Sequence, residues 1–191
     1  MSSDYLAAPA VFLIDTLFSL YVFALLLRFL FQWVEADYYN PISQFLIKIT
    51  HPPLRLLRRF IPSIGRIDTA SLVLMAGLQM LGGYLIFLLK DVSITVPALL
   101  IWTFAQLLDL IFNLYFFAII IRAVLSWVGS GVYNPATALL YSLTEPLLRA
   151  ARGVLPPIGG IDLSPLIPLI GIQLAKMLVM PPLQHLMVML S

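Results

Sequence analysis

The chain has 191 residues, 61% of them hydrophobic and only 10% charged, with a net charge of +2. Its mean hydropathy is +1.01, and a soluble domain carries about 25% charged residues, so the composition excludes an ordinary soluble domain and points to an integral membrane protein. With no cysteine, disulfides, thiolate chemistry, cysteine-held iron–sulfur clusters and haem attached through protein thiols are excluded too.

The opening Met1-Ser2-Ser3-Asp4-Tyr5 lacks the basic start of a secretory signal. The apolar run after it is too long for one, so a retained membrane helix is expected over about 9–34. A polar loop follows, then apolar stretches near 69–90, 97–128 and 163–182, the last with a short C-terminal segment behind it. Each meets the roughly 20 residues a spanning helix needs. The first and third exceed it and must tilt or project past the hydrocarbon. Spans two and three are separated only by Asp91 to Val96 and form an antiparallel pair. The expected fold is an all-α membrane protein with four transmembrane helices.

The chain also says the same thing twice. At a constant offset of 94, Arg28, Trp33, Tyr39-Asn40-Pro41, Thr50, Pro52, Arg55, Arg58, Pro62, Gly65 and Ile67-Asp68 recur as Arg122, Trp127, Tyr133-Asn134-Pro135, Thr144, Pro146, Arg149, Arg152, Pro156, Gly159 and Ile161-Asp162. Matches of Pro, Gly, Arg, Asn and Trp are not what chance pairing of apolar runs supplies. The chain therefore divides into two tandem units, 1–94 and 95–191, each a helix, an elbow (about 40–62 and 134–156) and a second helix. Two crossings per unit give both units the same orientation, a parallel repeat.

Lys48, Arg55, Arg58, Arg59 and Arg66 follow span one, Arg149 and Arg152 follow span three, and the opposite side has Lys90 and little else basic. The positive-inside rule then places both elbows in the cytoplasm and both termini outside. Trp33 and Trp127 read as interface anchors. Arg28 and Arg122, about a turn deeper, are expected to snorkel to the same surface.

Within each elbow, Asn40-Pro41 and Asn134-Pro135 read as an N-cap with proline at the first helical position. A short amphipathic helix is predicted to follow, with Ile42, Phe45, Leu46 and Ile49 on one face in the first unit and Leu139, Leu140 and Leu143 in the second. Thr50-His51-Pro52-Pro53 and Thr144-Glu145-Pro146 are predicted to break it and start a second short helix. That helix sets Leu54, Leu57 and Ile61 opposite Arg55, Arg58 and Arg59, or Leu147, Leu148 and Ala151 opposite Arg149 and Arg152. Pro62 with Gly65, and Pro156 with Gly159, are expected to end it, leaving Asp68 and Asp162 to cap the next span. Helices with arginine on one face and leucine on the other lie in the lipid interface. The elbows read either as structural supports under their own spans or as docking sites for anionic lipid or a protein partner.

Inside the membrane, Asp15 and Asp109 are repeat equivalents, as are Gln79 and Gln173. An ionisable group at that depth is costly and normally faces the bundle interior with a partner. Gln106, Asp109 and Asn113 share one face of span three. Asp109 lies 122 − 109 = 13 residues from Arg122, and Lys176 lies 176 − 162 = 14 from Asp162. At about 1.5 Å per residue both sit about 20 Å from the elbow side, so an Asp109–Lys176 contact is predicted. Gly82 stands where repeat two has Lys176, leaving Asp15 without the matching cation. Polar glue between helices and an ion or proton path along Asp15, Asp109, Gln79 and Gln173 are both open readings. Gly77 and Gly82-Gly83 offer a small-residue surface for packing against another chain.

His51 and His185 fall at opposite ends of the chain's spans, and the sequence has no phosphate-cradling glycine loop, metal-ligand cluster or nucleophile–base set. No catalytic residue, cofactor or metal is expected, nor a nucleic acid as direct partner. The expected partners are the bilayer, with its anionic lipids, and a second copy or another membrane protein.

The doubled pattern on four spans resembles the YggT family of bacterial inner-membrane proteins, which has plastid relatives. The segments 39–68 and 133–165 carry the likeness, while Leu56 and Ala150 stand where similar segments often have proline. The resemblance implies a place in the bacterial inner membrane and a role in osmotic or salt tolerance through potassium homeostasis. For single-repeat plastid relatives it implies cytochrome b6 haem assembly and nucleoid organisation. Without cysteine or paired histidines, a haem-related role here would be scaffolding. The alternative to ion homeostasis is an assembly factor docking lipid or protein through its basic elbows.

Overall fold

The computed structural model describes residues 2–128, 134–154 and 162–191. Its described residues form six helices: α1 (Ser2–Trp33), α2 (Pro41–Leu57), α3 (Thr69–Leu89), α4 (Val96–Val128), α5 (Pro135–Arg152) and α6 (Leu166–Leu190). Among the described residues four stretches are long and apolar enough to cross a membrane: Ala7–Trp33, Thr69–Leu89, Val96–Ser126 and Leu166–Leu190. A backbone in hydrocarbon must satisfy its hydrogen bonds internally, and unbroken helices do that.

The spans pack as a row: α1 on α3, α3 on α4, and α4 on α6. Among the described residues, α1 and α6 at the ends of the row do not pack on each other as these neighbours do. The core sits toward the elbow end, where Val22, Leu25, Leu26 and Leu30 of α1 meet Leu54 of α2, Ala70 and Met75 of α3, and Leu143 of α5. Toward its other end α1 is bare, with Phe12, Leu13, Leu17 and Leu20 each more than half exposed.

The last span runs past its predicted end near 182, because α6 continues through Pro181-Pro182 to Leu190. Leu183, Met187 and Val188 still face α4 across a shared cavity, and the Thr95 hydroxyl at the head of α4 donates to the Leu190 carbonyl. Packing and the lack of water to receive freed carbonyls outweigh the missing proline N–H groups.

Each elbow is one helix, not two short ones. Pro52 and Pro53 lie inside α2, and Pro146 lies inside α5. Pro53 cannot donate to the Ile49 carbonyl, and the Tyr21 hydroxyl of α1 donates to that carbonyl at 3.1 Å instead. The freed acceptor is satisfied from the neighbouring helix, so the elbow need not break. Helix α2 stops at Leu57, ahead of Pro62, and the chain reverses in a turn where Ile64 and Ile67 exchange both backbone bonds at 3.0 Å. Gly65 has φ +59 at that turn with open space around it, so glycine is required there for its backbone.

The face buried by α2 also differs from the apolar one. Ser43, Leu46, Thr50 and Leu54 are buried, while Phe45 is 59% exposed. In α5 the buried set is Leu139, Leu143, Thr144, Leu148 and Ala151. The threonines turn inward because a buried cation waits for them.

Candidate functional site: two arginine-locked elbows

Asn40 begins α2 and accepts the Ile42 N–H at 2.9 Å, while its amide donates to the Pro135 carbonyl of the other elbow at 2.8 Å. Asn134 begins α5 with a capping box, exchanging bonds with Thr137 at 2.9 and 3.0 Å. The predicted caps are in place, and one of them also ties the two elbows together.

Arg28 and Arg122 do not snorkel. Arg28 is only 9% exposed and donates to Thr50 Oγ1 at 2.7 Å. Arg122 donates to Thr144 Oγ1 at 2.9 Å, and its guanidinium lies 4.7 Å from the Tyr141 ring centre. Both threonines are fully buried and return their hydroxyl proton to the carbonyl four residues back, at Leu46 and Leu140. The elbow helix thus covers the arginine and gives it a partner, which removes the reason to reach for water.

A second pair recurs. Arg58 meets Asp68 at 2.5 Å, and Arg152 meets Asp162 at 3.2 Å. These arginines fasten the end of each elbow to the start of the next span. Asp68 stands at the N-cap position of α3 but makes no side-chain cap bond; its carboxylate accepts from Arg58 and from the Ser71 hydroxyl at 2.6 Å. Asp162 lies ahead of α6, whose N-cap is Pro165, and accepts the Ser164 N–H at 2.9 Å. Much of the doubled signature is therefore two internal locks per unit. Of the predicted docking arginines, Arg55, Arg59 and Arg149 stay exposed on the surface, and Arg58 is exposed too despite its lock, with Arg149 3.9 Å from Glu145.

Glu145 was not singled out from sequence, yet it is the hub of the second elbow. It accepts from Arg122 at 2.5 Å and from Arg152 at 3.2 Å. Its signal was its place beside Thr144, where the first repeat has His51.

Burial by itself raises the Asp68, Glu145 and Asp162 carboxyls, but the hydrogen bonds and cations around each outweigh it. Asp68 is held below the ordinary carboxylate value by Arg58 and Ser71, Glu145 by Arg122, Arg152 and Arg149, and Asp162 by Ser164 and Arg152. A depressed folded-state pKa contributes stability above the unfolded value and loses it as pH falls through the folded one. The thermal midpoint in detergent is therefore expected to be flat between about pH 7 and 5 and to fall below about pH 4. Asp68→Asn should make that fall shallower, and a midpoint that rises on acidification would contradict the locks.

Within the membrane, Lys176 Nζ lies 2.7 Å from Asp109 Oδ1 and 2.8 Å from Asn113 Oδ1. Asn113 closes the triangle by donating to Asp109 Oδ2 at 2.8 Å. Gln106 and Gln184 line the cavity of about 560 Å³ beside this cluster. Asp15 does not join it. It is exposed on α1 and does not share Lys176, because the row leaves the far end of α1 with little cover. Gln79 and Gln173 are half-buried. Among the described residues no group of His, Cys, Asp and Glu is placed to hold a metal ion.

Trp33 is 51% exposed at the end of α1 and stacks on Phe29 at 6.4 Å. Pro41, Pro52 and Pro146 are exposed within their helices, and Pro62 accepts a 2.6 Å bond from the Thr69 hydroxyl. Tyr133, Pro156 and Gly159 lie outside the described residues, as does the side chain of Trp127.

The family model for CCB3/YggT matches residues 7–89 and again 101–183, the two units drawn above. The chain belongs to the CCB3/YggT family. It is 44% identical over 176 residues to an uncharacterized protein of Pseudomonas aeruginosa, covering 91% of this chain and 89% of that one. It is 41% identical over 156 residues to the uncharacterized protein YggT of Escherichia coli, covering 82% and 81%. A YlmG homolog protein 2 of the Arabidopsis thaliana chloroplast shares 40% identity over 58 residues, 29% of this chain and 22% of that one. No solved structure matches. Family membership thus matches the resemblance seen in the doubled signature, and the names of these bacterial relatives attach no activity to it.

Proposed function

We propose that this protein is a non-enzymatic scaffold of the bacterial inner membrane. Its two basic elbows face the cytoplasm and dock anionic lipid or a membrane-protein partner, and any contribution to osmotic or salt tolerance runs through such a partner. The observation that carries this reading is the packing of the four spans as a row, α1–α3–α4–α6, an arrangement that does not ring a central path among the described residues. The Asp109 charge is already met by Lys176, so it is poorly suited to bind a travelling cation. The surplus of Lys and Arg beside the elbows supports their cytoplasmic placement, and exposed Arg55, Arg59 and Arg149 are free to meet phosphate-rich surfaces.

The second reading is direct movement of ions, potassium among them, through an assembly of several copies. Exposed Asp15 favours it, since an uncompensated carboxylate inside a span calls for a partner or a water-filled path. Liposomes containing only the purified protein separate the two. The scaffold reading expects potassium flux no greater than in empty liposomes. Sustained flux that Asp15→Asn abolishes would overturn it in favour of conduction.

A further inference from the structure

The two units differ at one buried cation. Arg122 has a carboxylate, Glu145, at 2.5 Å in addition to its threonine. Its equivalent Arg28 has Thr50 at 2.7 Å and finds His51 where Glu145 would stand. Arg28 is therefore a guanidinium 9% exposed with no carboxylate bonded to it, an arrangement that is costly unless an anion completes it.

A cavity of about 710 Å³ opens beside Arg28, walled by His51, Ser43, Phe31, Leu46 and Ile47. Glu35, Arg58 and Asp68 also line it, and Asp68 favours the charged Arg28 from a distance, but both carboxylates are bonded to other arginines. Glu35 pairs with Arg66 at 2.9 Å, and Asp68 pairs with Arg58 at 2.5 Å. Arg28 is therefore the lining cation with no carboxylate hydrogen-bonded to it among the described residues.

Ser43 makes a second departure from the repeat. It is 6% exposed, and its hydroxyl has no hydrogen-bond partner. The equivalent Thr137 uses its hydroxyl in the Asn134 capping box. A spare buried hydroxyl and a spare buried guanidinium thus converge on one cavity, at the end of the spans and beside apolar walls.

We propose that this cavity binds the oxyanion of an anionic phospholipid headgroup, which occupies on Arg28 the place the Glu145 carboxylate occupies on Arg122. A guanidinium offers paired donors that match phosphate geometry, the Ser43 hydroxyl supplies a further donor, and Phe31, Leu46 and Ile47 suit the apolar part of a lipid. The proposal deepens the scaffold reading and rests on it for its membrane-surface setting. The two fail separately, because liposome flux tests that reading and leaves lipid occupancy untouched.

His51→Glu is the decisive variant, since it installs the carboxylate of the second repeat without removing any lock. The full-length protein in detergent is offered phosphatidylglycerol or phosphatidylcholine and read by native mass spectrometry, with inorganic phosphate tested separately by thermal shift. Wild type is expected to retain one phosphatidylglycerol in preference to phosphatidylcholine. His51→Glu should lower that retention by about tenfold or more, with its thermal midpoint unchanged or higher, while His51→Gln keeps the lipid. If inorganic phosphate alone stabilises wild type, with no stabilisation in His51→Glu and no lipid preference in either, the oxyanion site stands and the headgroup source is overturned. Equal lipid and phosphate binding in wild type and His51→Glu, or equal loss in His51→Gln, overturns the site.

Discussion

Replacing Lys176 with Met is expected to destabilise the protein by about 2 kcal/mol, a loss of roughly 4–8 °C in thermal midpoint for a chain of this size. The substitution removes the cation that bonds both Asp109 and Asn113 and leaves a carboxylate inside a span. Breaking a fully buried ion pair costs about 3–5 kcal/mol. Here the partners remain 31% and 33% exposed, so the figure is reduced for the screening that exposure permits. The diagnostic is the double variant. Lys176→Met with Asp109→Asn should recover more than half of the loss, giving a coupling of about 1 kcal/mol or more. Strictly additive effects would mean that the pair does not act as a unit.

Gly83→Ala should cost about 1–3 kcal/mol by overpacking, through a different contact. A Cβ at Gly83 would collide with the Trp102 ring, which is itself held edge-on to Phe87 at 5.6 Å. That contact joins α3 to α4 and hence one unit to the other. Trp102→Leu in the same chain opens the space and should rescue most of the loss. Gly82→Ala should be milder, since its Cβ would meet Phe18 at 3.0 Å. Unfolding followed by heating in detergent checks all three, and an unchanged midpoint for Gly83→Ala would place the α3–α4 contact elsewhere.

These adjacent glycines also explain why the repeat thins in the membrane. Helix α3 has neighbours on two sides, and Gly82 lets α1 approach while Gly83 lets α4 approach. Their repeat equivalents on α6 are Lys176 and Met177. Lys176 faces α4 and pairs with Asp109, whereas Met177 is 68% exposed because α6 ends the row. The glycine pair that the sequence offered as a surface for another chain is used within this one.

Much of the fold was legible beforehand. Spans are long unbroken apolar runs, and the doubled signature gave the two units and the elbow caps. The rise per residue placed Asp109 and Lys176 at one depth, and the structure brings them into contact. Sequence could not say which way a side chain at a given depth would face. Arg28 was expected to reach for the surface and instead lies under its own elbow. Asp15, which lacks the matching cation and could sit nearer water or share Lys176, lies exposed. Pro52-Pro53 was expected to break the elbow, but the Tyr21 hydroxyl of another helix donates to the freed Ile49 carbonyl.

By itself, then, the sequence determined much of what depends on distance along a helix: the four long apolar helices, the doubling, the shared level of Asp109 and Lys176, and the family. The tertiary structure alone decided what depends on rotation about a helix and on its neighbours. That includes the order of the spans in the row, the internal use of the repeated arginines, and the cavity beside Arg28. Periodicity fixes axial position, whereas the direction a buried charge takes is set by whichever neighbouring helix can offer it a partner.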